Sequence, residues 1–179
     1  MLKVRWLTLI FITFSAALLR LLPHPYNFAP ITAIALFGGA HFSNKRDAYL
    51  VTLGAMLLSD VFIGYHRLLF LIYGYFVLTV AIGIWLGKKR STFAIAGATI
   101  FCSILFFVIT NFAVWFFDGL YPPTVSGLMQ CYAAAIPFFH NTVLGDIFYT
   151  SLLFGGFALA EKRFPILRVP TLTAQNNRF

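Results

Sequence analysis

The chain has 179 residues, of which 60% are hydrophobic and 10% are charged, and its mean hydropathy is +0.87. A soluble domain of this size has too little interior to hide so much apolar surface, so the composition excludes an ordinary soluble globular protein and predicts one compact membrane domain. The net charge of +8 would suit nucleic-acid binding, but the positions of the cations along the chain indicate membrane topology instead.

Six apolar stretches, taken in chain order, predict an all-α membrane protein with six transmembrane helices. A spanning helix needs about 20 apolar residues, within a range of about 17–25. The first stretch follows Lys3 and Arg5 and imitates a signal peptide, but it continues to Leu22 and further spans follow, so an uncleaved helix is predicted. The predicted spans are 6–22, 29–42, 48–63, 68–86, 92–117 and 142–160.

Between the fifth and sixth spans lies a mixed stretch, 118–141, which contains Pro122 and Pro123 and an apolar patch at 131–139. The patch is too short to cross a bilayer. It is therefore predicted to be an interfacial or re-entrant segment before the last helix. The chain then divides into a single six-helix membrane domain, residues 1–163, and a cytoplasmic tail, residues 164–179.

The positive-inside rule tests this topology, because cytoplasmic loops of membrane proteins are rich in Lys and Arg. With the amino terminus in the cytoplasm, only Arg20 and Arg67 of the 13 basic residues fall in outer segments. Both termini are therefore predicted to be cytoplasmic, and the charge reflects topology and anionic membrane lipid rather than nucleic acid. The inner residues are Lys3, Arg5, Lys45, Arg46, Lys88, Lys89, Arg90, Lys162, Arg163, Arg168 and Arg178.

Polar residues of the predicted loops and span ends gather on the outer side. Ionisable residues in membrane segments are costly and usually face a cavity or a partner. Their concentration therefore predicts an outward-facing polar site, of which the broken stretch RLLPHPYNFAP at 20–30 forms one wall. The candidate substrate-binding residues are His24, Asn27, Asp60, His66, Asn111, Trp115, Gln130, Tyr132, His140, Asn141 and Asp146.

Plainer interpretations of these residues stay open. Arg20 could pair with Asp60 or with a lipid phosphate, and a lone outer-loop histidine could simply be solvated. Asn111 and Asp146 could bond across two helices as packing contacts. Small residues four apart are expected to let helices approach closely. These pairs are Ala29 and Ala33, Ala35 and Gly39, Ala94 and Ala98, and Gly156 and Ala160.

Motifs of common enzyme classes do not occur in the sequence: it has no GxxxxGK[ST], HExxH, GxSxG or CxxC. Neither catalysis nor a cofactor is therefore predicted. The outer histidines His24, His66 and His140 could converge on a transition metal, because imidazole is a good ligand for Zn, Co, Ni or Fe. Whether they converge stays open. Cys102 and Cys131 lie in or near apolar stretches and predict no disulfide.

Several strings together resemble a known family. They are RLLPHPYNFAPITAIALFGGA at 20–40, LLSDVFIGYH at 57–66, TNFAVW at 110–115, YPPTVSGLMQCYAAAIPFF at 121–139 and GDIFYTSLLFG at 145–155. Over about residues 20–161 the chain resembles a family of small bacterial membrane proteins of uncharacterised function that are classed as transport proteins. That family is similar to the S components of energy-coupling-factor (ECF) transporters.

The resemblance implies a six-helix protein of the bacterial inner membrane with an outward-facing pocket for a small ligand. A separate membrane coupling protein with ATPases would supply the energy. S components often carry an AxxxA pattern on the first helix that docks the coupling protein. Here only Thr13 and Ala17 have that spacing, so the use of a shared ECF module stays open.

Residues and resemblance together predict a substrate-binding protein for uptake, whose ligand is a vitamin- or cobalamin-like compound or a transition metal. Aromatic side chains would stack on the ligand, and amides and carboxylates would orient it. Two alternatives stay open. One is a structural membrane subunit whose small-residue faces assemble a larger complex. The other is a membrane enzyme that uses the outer His and Asp residues.

Overall fold

This computed structural model describes residues 2–64, 67–89 and 91–168. The described part of the chain is helical, with short connections between six helices. The last helix is continuous, although its turns at Ser151–Gly155 are π-helical. The helices are α1 (Leu2–Leu18, extended by a 3₁₀ turn at Leu19–Leu21), α2 (Ile31–His41), α3 (Lys45–Ile63), α4 (Leu69–Leu86), α5 (Thr92–Phe117) and α6 (Val125–Arg163).

Local capping signals place several of these helix ends. The side chains of Asn44, Ser91 and Thr124 each accept a hydrogen bond from a backbone N–H in the following turn, at 3.0, 3.1 and 3.1 Å. Such caps satisfy N–H groups that the first helical turn leaves unpaired. At the other end of α3, Gly64 has a φ of 99°, a conformation that stops the helix and that glycine adopts without strain.

Helix α2 lies at the centre of the bundle. It packs against all five other helices, and every residue in 32–41 is buried. A helix that is apolar on all faces belongs in such a position, since it has no polar face to show to solvent.

Glycines allow α2 and α4 to cross at close range. A Cβ built on Gly83 would lie 2.6 Å from the Leu36 carbonyl oxygen, and one on Gly87 would lie 2.8 Å from the Ala40 carbonyl oxygen. Gly39 is held equally close to α4. The predicted packing role of the pair Ala35 and Gly39 is therefore confirmed. A Cβ on Gly156, in contrast, would have no neighbour within 4 Å.

The helices alternate in direction and give the bundle two different ends. An ion pair between Arg5 and Glu161 joins the start of α1 to the end of α6. At the opposite end, Arg20 pairs with Asp60 and joins the ends of α1 and α3. We call the first the basic end, because the helix termini there hold most of the cations, and the second the loop end. The described cations of the basic end are Lys3, Arg5, Lys45, Arg46, Lys88, Lys89, Lys162, Arg163 and Arg168.

The length and composition of several helices fit a multi-pass membrane protein. Within the described residues, four helices are long and apolar enough to cross a membrane, namely Lys3–Leu21, Leu69–Leu86, Thr92–Phe117 and Val125–Arg163. Their outer faces expose large apolar side chains, such as Phe70 at 90% and Phe93 at 92%. Because water is a poor solvent for these faces, lipid is their natural surrounding.

The prediction of a separate interfacial or re-entrant segment before the last helix is wrong. Residues 125–141 are the first turns of α6, a single helix of 39 residues. At 1.5 Å per residue it is about 58 Å long, which exceeds a bilayer core of about 30 Å. Pro137 does not break it, and contacts with α5 on both sides of the proline, from Tyr132 and Asp146, hold the helix in place.

Beyond α6, Pro165–Leu167 form a 3₁₀ turn that packs against α1. Leu167 is buried, and Arg5 donates a hydrogen bond to its carbonyl oxygen. The first residues of the predicted tail, 164–179, therefore contact the bundle. Residues 169–179 lie outside the described part of the chain.

Candidate functional site

The first polar cluster at the loop end is a buried ion pair between α1 and α3. Arg20 Nη2 lies 2.8 Å from Asp60 Oδ1, and the two side chains are 9% and 3% exposed. Tyr73 Oη donates to Asp60 Oδ2 at 2.8 Å, and Arg20 Nη1 donates to Ser59 Oγ. Each charge is thus matched inside the protein. Of the two partners that the sequence allowed for Arg20, the pairing with Asp60 is confirmed.

The second cluster surrounds Asp146, which α6 carries into the bundle. Ser103 Oγ on α5 donates to Asp146 Oδ2 at 2.6 Å, and Thr32 on α2 lines the same cavity as this carboxyl group. Thr32 Oγ1 also lies 2.9 Å from Tyr75 Oη, which donates to the Cys102 carbonyl oxygen at 3.2 Å. Three helices therefore converge on this carboxyl group. Among the described residues it has no ion-pair partner.

A cavity of about 310 Å³ opens beside Asp146 at the loop end, and we call it the Asp146 cavity. Pockets for small ligands have volumes of about 300–1,000 Å³, so this one suits a small molecule. Its polar wall is formed by Arg20, His24, Asn27, Thr32, Thr142 and Asp146. Its apolar wall is formed by Ala29, Ile31, Ile63 and Phe106.

The loop before α2 supplies one side of this cavity through an unusual backbone conformation. Asn27 has a φ of 63°, and among the described residues other than glycine no other has a positive φ. Asparagine tolerates the left-handed region better than most residues. The turn is closed by a hydrogen bond from Phe28 N to the Pro25 carbonyl oxygen at 3.0 Å. The broken stretch therefore folds back over the bundle and places Asn27 at the cavity.

A second hollow of about 390 Å³ adjoins the Asp146 cavity and shares Asn27, Phe106 and Thr142 with it. Arg67 and Asp118 lie on its rim, with Arg67 Nη1 4.0 Å from Asp118 Oδ1 and the side chains 73% and 34% exposed. The shared residues make the two hollows neighbours at the loop end.

The structure brings only some of the predicted site residues to the two hollows. His24, Asn27 and Asp146 line the Asp146 cavity, and Asn27 and Asn111 line the second hollow. Asp60 is held in its ion pair, and His66 lies outside the described residues. The remaining five line neither hollow and bond to nearby groups: Trp115 to the Pro122 carbonyl, Gln130 to Ser126, Tyr132 to the Val108 carbonyl, His140 to the Ile136 carbonyl and Asn141 to the Tyr26 carbonyl.

The histidines do not form a metal site in the part of the chain that the structure describes. His24 and His140 are both exposed, and each ring bonds to a backbone carbonyl within four residues of it. No group of three or more His, Cys, Asp and Glu side chains comes together among the described residues. Cys102 and Cys131 are both buried as free thiols.

Sequence reasoning missed several residues of the Asp146 cluster. Ser103 and Thr32 were not candidates, because a hydroxyl in an apolar helix usually bonds to its own backbone. Ser103 does lie 3.0 Å from the Thr99 carbonyl, yet it also reaches Asp146, 43 positions away. Only the tertiary packing of α2, α5 and α6 reveals that partnership.

A third hollow, the α5–α6 groove, lies toward the basic end and has a volume of about 660 Å³. Small residues line much of it, including Ser151, Gly155 and Ala158. The Thr150 hydroxyl lies at the groove and is buried without a hydrogen-bond partner among the described residues. This groove is separate from the residues that the sequence singled out at the loop end.

The described chain is an all-α bundle whose long apolar helices fit a multi-pass membrane protein, with a small polar cavity at one end. Residues 1–167 match DUF6580, a family of unknown function, and the chain belongs to that family. No curated protein matches the chain, and no solved structure matches it either.

Proposed function

We propose that this protein is a substrate-binding membrane protein of an uptake system, with its ligand in the Asp146 cavity. One observation carries the proposal: a buried carboxyl group, without an ion-pair partner among the described residues, lies at the wall of a cavity. Ionisable groups inside membrane proteins are costly and are usually kept where they meet a partner, a water-filled cavity or a transported solute.

Charge supports an orientation with the loop end outside. Cytoplasmic segments carry the excess of Lys and Arg, and nine described cations lie at the helix termini of the basic end. The loop end has Arg67 and Arg20, and Arg20 is matched by Asp60. In this orientation both termini are cytoplasmic. The resemblance to bacterial transport proteins makes the bacterial inner membrane the proposed location.

The proposal includes six crossings of the membrane. Helix α2 has 11 residues and is about 16 Å long, roughly half of a bilayer core. It needs no full apolar length, because the other helices cover it and lipid does not reach its backbone. The irregular loop before it lines a cavity, which is where non-helical backbone is tolerated at membrane depth.

An S-component-like role would make the protein dependent on a partner for energy. Its small size, its six helices and the lack of a phosphate-binding loop in its sequence support this division of labour. The pair Thr13 and Ala17 on α1 is only 1% and 2% exposed. Because these side chains already pack inside the bundle, a coupling protein with ATPases would contact a different surface.

Native mass spectrometry of the purified protein in mild detergent tests the proposed function. We expect a small molecule at about one per chain, which is lost from the variant Asp146→Asn. The matched control is Asp47→Asn at the basic end, where the carboxylate accepts a hydrogen bond from Trp6 Nε1 at 3.0 Å. That control should retain the molecule. A chain that carries no small molecule, or one whose molecule remains in Asp146→Asn, would contradict the proposal.

A structural membrane subunit is the second candidate, and the α5–α6 groove favours it. Small residues let another helix approach closely, and the unpaired Thr150 hydroxyl offers that helix a hydrogen bond. Gly155 lines the groove, and a Cβ built on it would meet nothing within 4 Å, so Gly155→Leu directs a bulky side chain from an open position of the groove. Under this alternative Gly155→Leu dissociates a larger complex in gentle detergent extracts. Under the leading proposal it leaves ligand retention unchanged.

A further inference from the structure

We infer that the Asp146 cavity selects a solute with a positively charged nitrogen and an apolar body, and that the carboxylate of Asp146 receives that nitrogen. This inference rests on the proposed function, because it names the chemical class of the ligand for the same cavity.

The charges at the cavity wall lead to this class. Arg20, His24 and Asp146 are the titratable residues that line it. The guanidinium of Arg20 is occupied, since it lies 2.8 Å from Asp60 and also bonds to Ser59. His24 lies in the exposed loop, with Nδ1 2.9 Å from the Pro25 carbonyl oxygen. When Asp146 is ionised, its carboxylate is therefore the uncompensated charge at the inner wall.

The hydrogen bonds of Asp146 leave room for a ligand. An ionised carboxylate has two oxygens and about four acceptor positions. Ser103 Oγ donates to Oδ2 at 2.6 Å and fills one of these positions. The carboxylate can therefore accept further N–H donors. An ammonium group is such a donor and also compensates the charge.

The apolar residues of the cavity wall indicate an apolar body for the solute. Ile31, Ile63 and Phe106 provide an apolar surface in a cavity of about 310 Å³. The face of an aromatic ring attracts cations, so Phe106 suits either the apolar body or its charged end. A bare transition metal fits poorly, because such ions need several His, Cys or carboxylate ligands and Asp146 is the one carboxylate at this wall. A small organic ammonium compound fits all of these groups.

Charge-selective thiol labelling tests the inference without a known ligand. Cys102 and Cys131 are replaced by alanine, and a single cysteine is introduced at Ala29 on the cavity wall. The purified protein reacts at pH 8 with a cationic reagent, 2-(trimethylammonium)ethyl methanethiosulfonate, or an anionic one, 2-sulfonatoethyl methanethiosulfonate. The ratio of the two rates is divided by the ratio measured for a cysteine at Tyr26, which is 80% exposed in the same loop.

The normalised ratio should favour the cation by about tenfold or more. It should fall to near one in Asp146→Asn. Should that variant not fold, salt provides a second measurement. Raising the ionic strength from about 0.01 M to about 1 M shortens the screening length from about 30 Å to about 3 Å, so the ratio should fall several-fold.

The outcomes separate the inference from the proposed function. A cysteine at position 29 that reacts readily but without preference for the cation overturns the inference, since the cavity then admits solutes without selecting charge. A preference that survives in folded Asp146→Asn also overturns it. A cysteine at position 29 that neither reagent reaches, while position 26 reacts, overturns the proposed function itself.

Discussion

Breaking the ion pair between Arg20 and Asp60 should destabilise the protein strongly. Asp60→Asn removes the charge but keeps the shape of the side chain, and it leaves Arg20 buried without its counter-ion. Removing one partner of a buried pair costs about 3–5 kcal/mol, whereas an exposed pair contributes about 0–1 kcal/mol. The side chains here are 9% and 3% exposed, so we expect the larger loss. Tyr73 keeps a hydrogen-bond acceptor in the amide, which favours the lower end of that range.

The chain provides its own control for this change. Arg67 and Asp118 also pair at the loop end, but at 4.0 Å and with side chains 73% and 34% exposed. Arg67→Gln should therefore cost less than about 1 kcal/mol. The free energy of unfolding can be compared for both variants by titration with sodium dodecyl sulfate in mixed micelles, followed by circular dichroism.

A double variant sharpens the test. Adding Arg20→Gln to Asp60→Asn removes the unpaired cation, so the double variant should be no less stable than Asp60→Asn alone. If Asp60→Asn and Arg67→Gln lower the free energy of unfolding equally, or if the two changes at the buried pair are simply additive, the assigned role of Asp60 in stability is refuted.

Three further changes test the packing of the bundle by the same unfolding assay. Gly83→Ala should destabilise the protein by more than about 1 kcal/mol, because the new Cβ would lie 2.6 Å from a backbone oxygen of α2. The control Gly54→Ala adds a Cβ that meets nothing within 4 Å, so it should stabilise the protein by about 0.5–1 kcal/mol. Equal effects of the two changes would contradict the close crossing of α2 and α4. Arg5→Lys should cost about 2 kcal/mol, since Arg5 bonds to a carboxylate and to two carbonyls that one ammonium cannot all reach; full stability in this variant would count against that assignment. Tyr75→Phe should cost about 1–2 kcal/mol through the lost bonds to Thr32 and to a carbonyl of α5, and an unchanged midpoint would show that those bonds contribute nothing.

Hydropathy predicted most of the helices because apolar length is a local property of the chain. The fifth predicted span, 92–117, coincides with α5, and the fourth, 68–86, differs from α4 by one residue. The sixth predicted span, 142–160, lies within α6, but the prediction of a separate segment before it failed at 125–141, where Gln130, Pro137 and His140 lower the apolar character. Polar side chains do not prevent a helix, since helix formation depends on backbone bonding and packing against neighbours. A helix longer than the bilayer therefore has a part that a search for apolar spans cannot recognise.

The candidate site was predictable as a region but not as a set of contacts. The loop at 20–30 and Asp146 do meet at one cavity, because alternating helices bring outer loops to the same end of a bundle. The sequence also placed Trp115, Gln130 and Tyr132 on the outer side, but their side chains bond to groups outside the Asp146 cavity. Which face of a helix turns inward depends on tertiary packing, so a residue's depth along the chain does not determine its partner.

The two buried carboxylates of the loop end show where the sequence and the structure contribute different information. Asp60 and Asp146 are each 2% exposed and lie near the same cavity, and in the sequence they are equivalent candidates. The structure gives Asp60 a cation and a phenol, and gives Asp146 the Ser103 hydroxyl but no cation among the described residues. Because a membrane interior makes an uncompensated charge costly, the first arrangement is complete within the chain, whereas under the proposed function a ligand completes the second. Neutralising Asp60 should therefore change the stability of the bundle, whereas neutralising Asp146 should change what the cavity admits.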